Sequence, residues 1–197
     1  MTNSDAKQSE ESLVRAACQG DRAAFAFLIE RYTPCLIQFA RIRTATIQDA
    51  EDIVQETFLR AYEKLSSYQS IYSFKNWLLT IAYRLMVSAA RKKQPLSLHD
   101  SAACGLAADL PELPGENDWL WNIVSQLETA DGTVLWFRYR EDMPISDIAK
   151  IMKKTAIGVR VHLHRARRRL SEKLKTYCES NEPIPELERF LCTERSD

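Results

Sequence analysis

The clearest hydrophobic pattern lies between residues 49 and 65, D-A-E-D-I-V-Q-E-T-F-L-R-A-Y-E-K-L, where apolar positions recur at helical spacing. Wound at about 100° per residue, Ala50, Ile53, Val54, Thr57, Phe58, Ala61 and Leu65 share one side, the stripe of a helix packed on its own domain. The other side carries Asp49, Asp52, Gln55, Glu56 and Glu63 around one large apolar residue, Leu59. Two readings fit. One is a solvated acidic face with a single exposed leucine, which is ordinary on protein surfaces. The other is a docking face in which Leu59 is the buried anchor and the carboxylates and Gln55 form a rim selecting a basic partner.

Helical periodicity continues on both sides. Residues 1 to about 9 are polar and are expected to be disordered; Leu13, Val14 and Ala17 then predict a short amphipathic helix ending at Gly20. Asp21 is placed to cap the next one, in which Phe25, Leu28, Ile29 and Tyr32 are followed by Leu36, Ile37, Phe39 and Ala40, with Pro34 as a kink or restart. Beyond the opening stretch, Phe74 to about Lys92 reads as a helix apolar over most of its circumference and hence largely buried. One polar strip remains on it: Asn76, Thr80, Tyr83, Arg84 and Arg91, ending in the basic run Arg91, Lys92, Lys93. Tyr68 and Tyr72 precede this helix in a polar loop. Rings that can stack and cations that can meet phosphates suit single-stranded nucleic acid, although Tyr and Trp are more often core residues with a wet edge.

Residues 95–117 have no helical period and contain Pro95, Pro111, Pro114, Gly105 and Gly115, the composition of an inter-domain linker. Trp119, Ile123, Val124 and Leu127 open a second helical domain, and Val134, Leu135 and Phe137 belong to its next helix. Then Ile145, Ile148, Ala149 and Met152 form the apolar face of a short helix, and Thr155 is a good N-cap for a longer one. In that helix Ala156, Val159, Leu163, Ala166, Leu170 and Leu174 make one stripe; Ile157, Gly158, Val161, His162, Arg165, Arg168 and Arg169 lie opposite. A short helix, a turn and a longer basic helix form a helix-turn-helix, whose second helix enters the DNA major groove. A basic amphipathic helix on a membrane surface is the competing reading.

Charge sharpens this picture. The 197 residues sum to no net charge, yet residues 94–137 hold no Lys or Arg, while Asp100, Asp109, Glu112, Glu116, Asp118, Glu128 and Asp131 all lie there. Between 153 and 175 nine cations stand against Glu172 alone. Separated blocks suit a protein that touches a polyanion with one part and something else with another. An acidic extended linker can also imitate nucleic acid in a basic channel. The five cysteines, Cys18, Cys35, Cys104, Cys178 and Cys192, are scattered with no C-x-x-C pair. With no apolar run long enough to span a bilayer and no signal peptide, the expected compartment is the cytoplasm, with reduced thiols. No catalytic constellation emerges, and no cofactor or metal is expected: His99 is isolated, and His162 and His164 are two apart on a helix, a poor metal pair.

At this point the residues resemble a known family, the bacterial sigma factors of RNA polymerase, in the small two-domain extracytoplasmic-function group. D-A-E-D-I-V-Q-E-T-F-L-R-A-Y is similar to that family's second conserved region, S-F-K-N-W-L-L-T-I-A-Y-R-L to the segment that opens the promoter. P-I-S-D-I-A-K-I-M with H-L-H-R-A-R-R-R-L resembles its C-terminal helix-turn-helix. The resemblance implies an all-α, non-enzymatic protein of two small helical domains: residues 10–94 for polymerase docking and promoter melting, an acidic linker at 95–117, the helix-turn-helix domain at 118–176, and a tail at 177–197. It implies core RNA polymerase as partner, through the beta-prime clamp helices and the beta flap, together with promoter DNA. It leaves room for an anti-sigma factor, and the free protein is expected to be a monomer without membrane insertion. By the same resemblance Asp49, Asp52, Gln55, Glu56, Leu59 and Glu63 dock on the polymerase. Lys75, Asn76, Thr80, Tyr83, Arg84 and Arg91 hold the melted strand; Thr155, Ile157, Gly158, Arg160, Val161, His162, Arg165, Arg168 and Arg169 face the upstream duplex, with Arg168 and Arg169 as phosphate clamps. Arg84 and Ser88 stand where the family usually has Asn and Asp, and Lys153 where it usually has Gly, so either a positive φ there carries strain or the turn differs from the family's. Ile157 and Val161 cannot hydrogen-bond bases but can meet thymine methyls. Two other functions fit parts of the chain: a conventional helix-turn-helix regulator that needs no polymerase, and a degenerate relative that only sequesters an inhibitor. The residues beyond 176 lie outside the resemblance and are expected to be a regulatory or partner-binding tail.

Overall fold

The computed structural model describes residues 3–44, 46–69, 73–93 and 118–180. The expected linker and most of the expected tail lie outside them, as do Tyr72, His99, Cys104 and Cys192. Every regular element among the described residues is helical: α1 Asn3–Cys18, α2 Arg22–Arg41, α3 Ile47–Lys64 with a 3-10 turn at Leu65–Ser67, and α4 Phe74–Lys93. From residue 118 come α5 Asp118–Ser125, α6 Thr129–Leu135 continued by a π-helical turn Trp136–Arg140, α7 Ile145–Met152 and α8 Ala156–Ser180. Helices α1 to α4 form one compact unit and α5 to α8 a second. The all-helical, two-unit architecture with a helix-turn-helix pair near its C-terminal side is therefore the one the periodicity predicts.

The first unit is built on α2 and α4. Leu28, Leu36 and Phe39 of α2 and Phe74, Leu78, Leu79 and Ala82 of α4 are buried, and Ala50, Val54, Phe58 and Ala61 of α3 pack with them. Asp21 caps α2 as expected, its Oδ1 accepting from the N–H groups of Ala23 and Ala24 at 2.9 and 3.2 Å. Helix α2 does not restart at Pro34 but runs unbroken through it. A proline inside a helix costs about 3 kcal/mol, but burying Leu28, Tyr32, Leu36 and Phe39 on one face returns about 1.5–3 kcal/mol for each large apolar side chain, so packing wins. The expectation of disorder at the start is corrected: α1 begins at Asn3. Ala6, Lys7, Gln8, Glu10 and Glu11 are good helix formers with no apolar stripe, so periodicity alone does not register them. Glu10 ties α1 to the unit by a hydrogen bond with Tyr32, whose phenol is pushed up first by burial and then by that carboxylate.

The second unit closes on Trp136, Phe137, Leu135, Met143, Ile148, Val159 and Leu174, all essentially without solvent contact. Trp121 and Trp136 meet edge to face with ring centroids 4.9 Å apart, and the Arg140 guanidinium lies over both rings at 5.7 and 5.1 Å. The stop after α7 sets the helix-turn-helix angle. Lys153 has φ 54° and ψ 44°; its N–H reaches Lys150 O at 3.4 Å, while Lys154 N–H reaches Ala149 O at 2.9 Å, the paired bonds of a Schellman stop. Helix α8 then starts at once, its first turn capped by Thr155 Oγ1, which accepts from Gly158 N–H at 3.0 Å. It continues to Ser180, past the expected domain boundary at residue 176.

Candidate functional site

Helix α3 presents the acidic face. Thr46 caps it, accepting from Asp49 N–H at 3.0 Å while its hydroxyl donates to Asp49 Oδ2 at 2.8 Å, so Asp49 is fixed on the first turn, where the helix dipole favours a negative charge. Leu59 is 63% exposed and Tyr62, one turn along, is also open to solvent although its ring packs 5.1 Å from that of Phe25. Asp52, Gln55 and Glu63 are exposed around them. Glu56 is bridged by Arg60 at 2.6 Å, four residues away on the same face. The surface is thus an exposed leucine–tyrosine pair inside an acidic rim. Arg60 and Tyr62 join the six residues named from the sequence; the i,i+4 spacing of Glu56 and Arg60 was available there.

Helix α4 holds the polar strip. Ser73 Oγ accepts from Asn76 N–H at 3.2 Å at its start. Lys75, Asn76 and Tyr83 are half-buried and Arg84 is exposed. Thr80 is committed to its own backbone, donating to Asn76 O at 2.7 Å. Arg91 is helical, but its side chain lies outside what the structure describes. Tyr68 lies in the loop before α4 as expected, but its ring packs against Phe74 and Trp77 at 5.4 and 5.1 Å, and burial raises its phenol, with Glu10 adding to the effect. The sequence reading missed Arg43. Its guanidinium sits 5.9 Å over the Tyr83 ring, with Nε and Nη1 buried and without a hydrogen-bond partner among the described residues. Burial pulls its pKa down to about 10, against the opposing charge of Tyr83, so it remains a cation at neutral pH beside the strip.

Helix α8 carries the basic face. Val159, Leu163, Ala166 and Leu170 are buried beneath it, while Ile157 is 71% and Val161 46% exposed. Arg160, Arg165 and Arg168 are exposed as well. Two residues assigned to this outward face turn to partners inside the unit. His162 Nδ1 lies 2.9 Å from Lys154 Nζ, which makes it the acceptor of a lysine proton; Nε2 lies 2.9 Å from Asp131 Oδ1, off the axis of a well-aligned hydrogen bond. Arg169 Nη1 donates to Asp131 Oδ2 at 2.6 Å and to Glu128 Oε2 at 2.9 Å. Asp131 is 3% exposed; the sequence marks it only as one member of the acidic stretch, with nothing to pair it with α8. Burial pushes its carboxyl up, yet the hydrogen bond and charge of Arg169, with the His162 imidazole facing its other oxygen, outweigh this and hold it below its ordinary value of 3.8. Arg168 bridges Glu172 at 3.0 Å, both ends exposed. What remains open to a polyanion near the start of α8 is Lys153, Arg160 and Arg165 around the Ile157–Val161 pair.

Among the described residues, no group of three or more His, Cys, Asp or Glu could hold a metal ion, and no helix is long and apolar enough to cross a membrane. Residues 28–95 match the family Sigma-70 region 2, and residues 117–170 match Sigma-70, region 4; together they cover more than half of the chain. The chain is 29% identical to the ECF RNA polymerase sigma factor SigW of Bacillus subtilis, over 82% of its own length and 95% of that protein's. It is 25% identical to the ECF RNA polymerase sigma-E factor of Haemophilus influenzae, over 85% of this chain and 96% of that one. In fold it is similar to CnrH, solved in complex with the cytosolic domain of CnrY, with a TM-score of 0.61 at 23% identity over 85% of this chain and 97% of that chain. A second similar fold is RpoE from Bartonella quintana, solved with the anti-sigma factor NepR, with a TM-score of 0.58 at 22% identity over 77% and 96% of the two chains.

Proposed function

Because the chain belongs to the extracytoplasmic-function group of the sigma-70 family, we propose that it docks its first helical unit on core RNA polymerase and sets its second on the duplex upstream of the start site. The observation that carries the reading is Leu59, a large apolar side chain 63% exposed at the centre of an acidic rim that has no use for it in the fold. An apolar anchor ringed by charge is what a specific interface needs: the anchor supplies affinity by leaving water, and the rim selects a basic partner and speeds encounter. Asp49, Asp52, Gln55, Glu56 and Glu63 form that rim, with Tyr62 widening the anchor.

The half-buried strip of α4 suits the melted strand. Lys75, Arg84 and Arg91 supply cations, Asn76 a hydrogen-bonding amide and Tyr83 a ring, with Arg43 lending charge from below. Thr80 contributes through the local helix geometry, since its hydroxyl is already used. In the second unit, α8 lies in the major groove as the recognition helix. Arg160 and Arg165 reach phosphates or base edges there, and Arg168 becomes a phosphate clamp by exchanging Glu172 for DNA. Thr155 fixes the start of α8, and His162 and Arg169 fix its seat, all three as positioning residues. The likeness to CnrH and RpoE, solved with CnrY and with the anti-sigma factor NepR respectively, supports an anti-sigma factor as a further partner.

The test is the equilibrium affinity of the full chain for core polymerase. Leu59→Arg is expected to weaken it at least about thirtyfold, the loss of about 2 kcal/mol typical of an interface anchor. Undiminished binding by a folded Leu59→Arg protein would contradict the docking assignment.

A further inference from the structure

We propose that this chain reads its upstream duplex chiefly through the 5-methyl groups of thymine, with Ile157 and Val161 as the specificity-determining contacts. The inference rests on the reading of α8 as the helix in the major groove. A recognition helix offers its first two turns to base edges. On α8 those turns carry Ile157, Gly158, Arg160, Val161 and His162 on the outer side, while Val159 and Leu163 are buried in the unit.

Two of the polar candidates on this side are committed elsewhere, while Arg160 stays exposed beside the apolar pair. His162 has Lys154 on one ring nitrogen and Asp131 facing the other, and Arg169, two turns on, is held by Asp131 and Glu128. Left open at the front are Ile157 and Val161, one helical turn apart, 71% and 46% exposed. Neither is needed by the core. Gly158 beside them has no side chain to hold the duplex away, and a Cβ there would meet Thr155 Oγ1 at 3.1 Å. Exposed Lys153, Lys154, Arg160 and Arg165 surround the pair, so the surface that covers this apolar patch is a polyanion rather than another protein's apolar face. In the major groove the apolar feature that distinguishes one base pair from another is the thymine methyl. Branched aliphatic side chains fit it, and the sequence so read contains A·T pairs at the positions beneath Ile157 and Val161.

The experiment uses holoenzyme assembled from the full chain and core polymerase, with duplexes selected by that holoenzyme from a randomised library. Each thymine of the selected upstream element is then replaced by deoxyuridine, which keeps the base pair and removes only the methyl. Binding is expected to weaken about fourfold for each contacted methyl, which corresponds to about 0.8 kcal/mol. The doubly substituted Ile157→Ala, Val161→Ala protein is expected to lose the difference between thymine and uracil, binding the two duplexes alike. Equal binding of thymine and uracil duplexes by wild type overturns the proposal and leaves the sigma-factor assignment standing; so does a double variant that keeps the full difference. A holoenzyme that selects no upstream duplex at all overturns the groove placement of α8, and the proposal with it.

Discussion

Asp131 does more for the second unit than its place in an acidic stretch suggests. One carboxylate, almost wholly buried in α6, meets His162 and Arg169 of α8, two helical turns apart, and so fixes both the rotation and the tilt of the long helix. Because its folded pKa is depressed below 3.8, the stabilisation is complete above that value and is lost as pH falls through the lowered one. Glu128, His162 and Arg169 are the titratable groups that face it, with Lys154 behind the His162 ring. Asp131→Asn is expected to destabilise the unit by about 2 kcal/mol at pH 7, as the loss of hydrogen bonds to charged partners does. In thermal melts the gap to wild type should narrow below pH 3.8; a gap independent of pH would contradict the ion-pair account. Leu59 was legible because one large apolar residue breaks an otherwise polar face. Asp131 was not, since its partners stand 31 and 38 positions away in the chain and only the packing of α6 on α8 brings them together.

Among the connections described, the turn before α8 is strained at Lys153, as the turn before α7 is at Asp142. Lys153 sits in the left-handed region that costs a side-chain-bearing residue about 1 kcal/mol, and its Schellman bonds hold it there. Lys153→Gly relieves that cost while keeping the turn, so the denaturant midpoint of the second unit should rise by the equivalent of about 1 kcal/mol. A lowered midpoint would mean that the exposed lysine stabilises the turn by other means. The helices themselves were largely readable: the stripes of α2, α3, α4, α7 and α8 follow the buried side, apart from Ala156, which is exposed in the first turn of α8, and Asp21 and Thr155 cap where their residue types suggest. What periodicity leaves out has one cause, which is that it registers only amphipathic burial. The polar start of α1 carries propensity without a stripe, α2 continues through Pro34 on the packing at both sides of it, and the Tyr68 ring, though in the loop before α4, is drawn into the Phe74–Trp77 cluster by contacts that local polarity does not show.

At the scale of the whole molecule, a net charge of zero hides a division of labour. The acidic face of α3 belongs to one unit and the basic face of α8 to the other, and each sits over its own core. If α8 meets duplex through Arg160 and Arg165, replacing either by Ala should lower the slope of log affinity against log salt by about 0.9, and leave the affinity for core polymerase unchanged. An unaltered slope would remove that arginine from the phosphate contacts. The central claim is that one molecule joins the two surfaces in starting transcription, and run-off transcription with purified core polymerase tests it most directly. Wild type should direct discrete transcripts that disappear with Leu59→Arg and fall in a promoter-dependent way with Arg165→Ala. Sequence-specific duplex binding by the protein alone, with no transcripts from wild type, would contradict it.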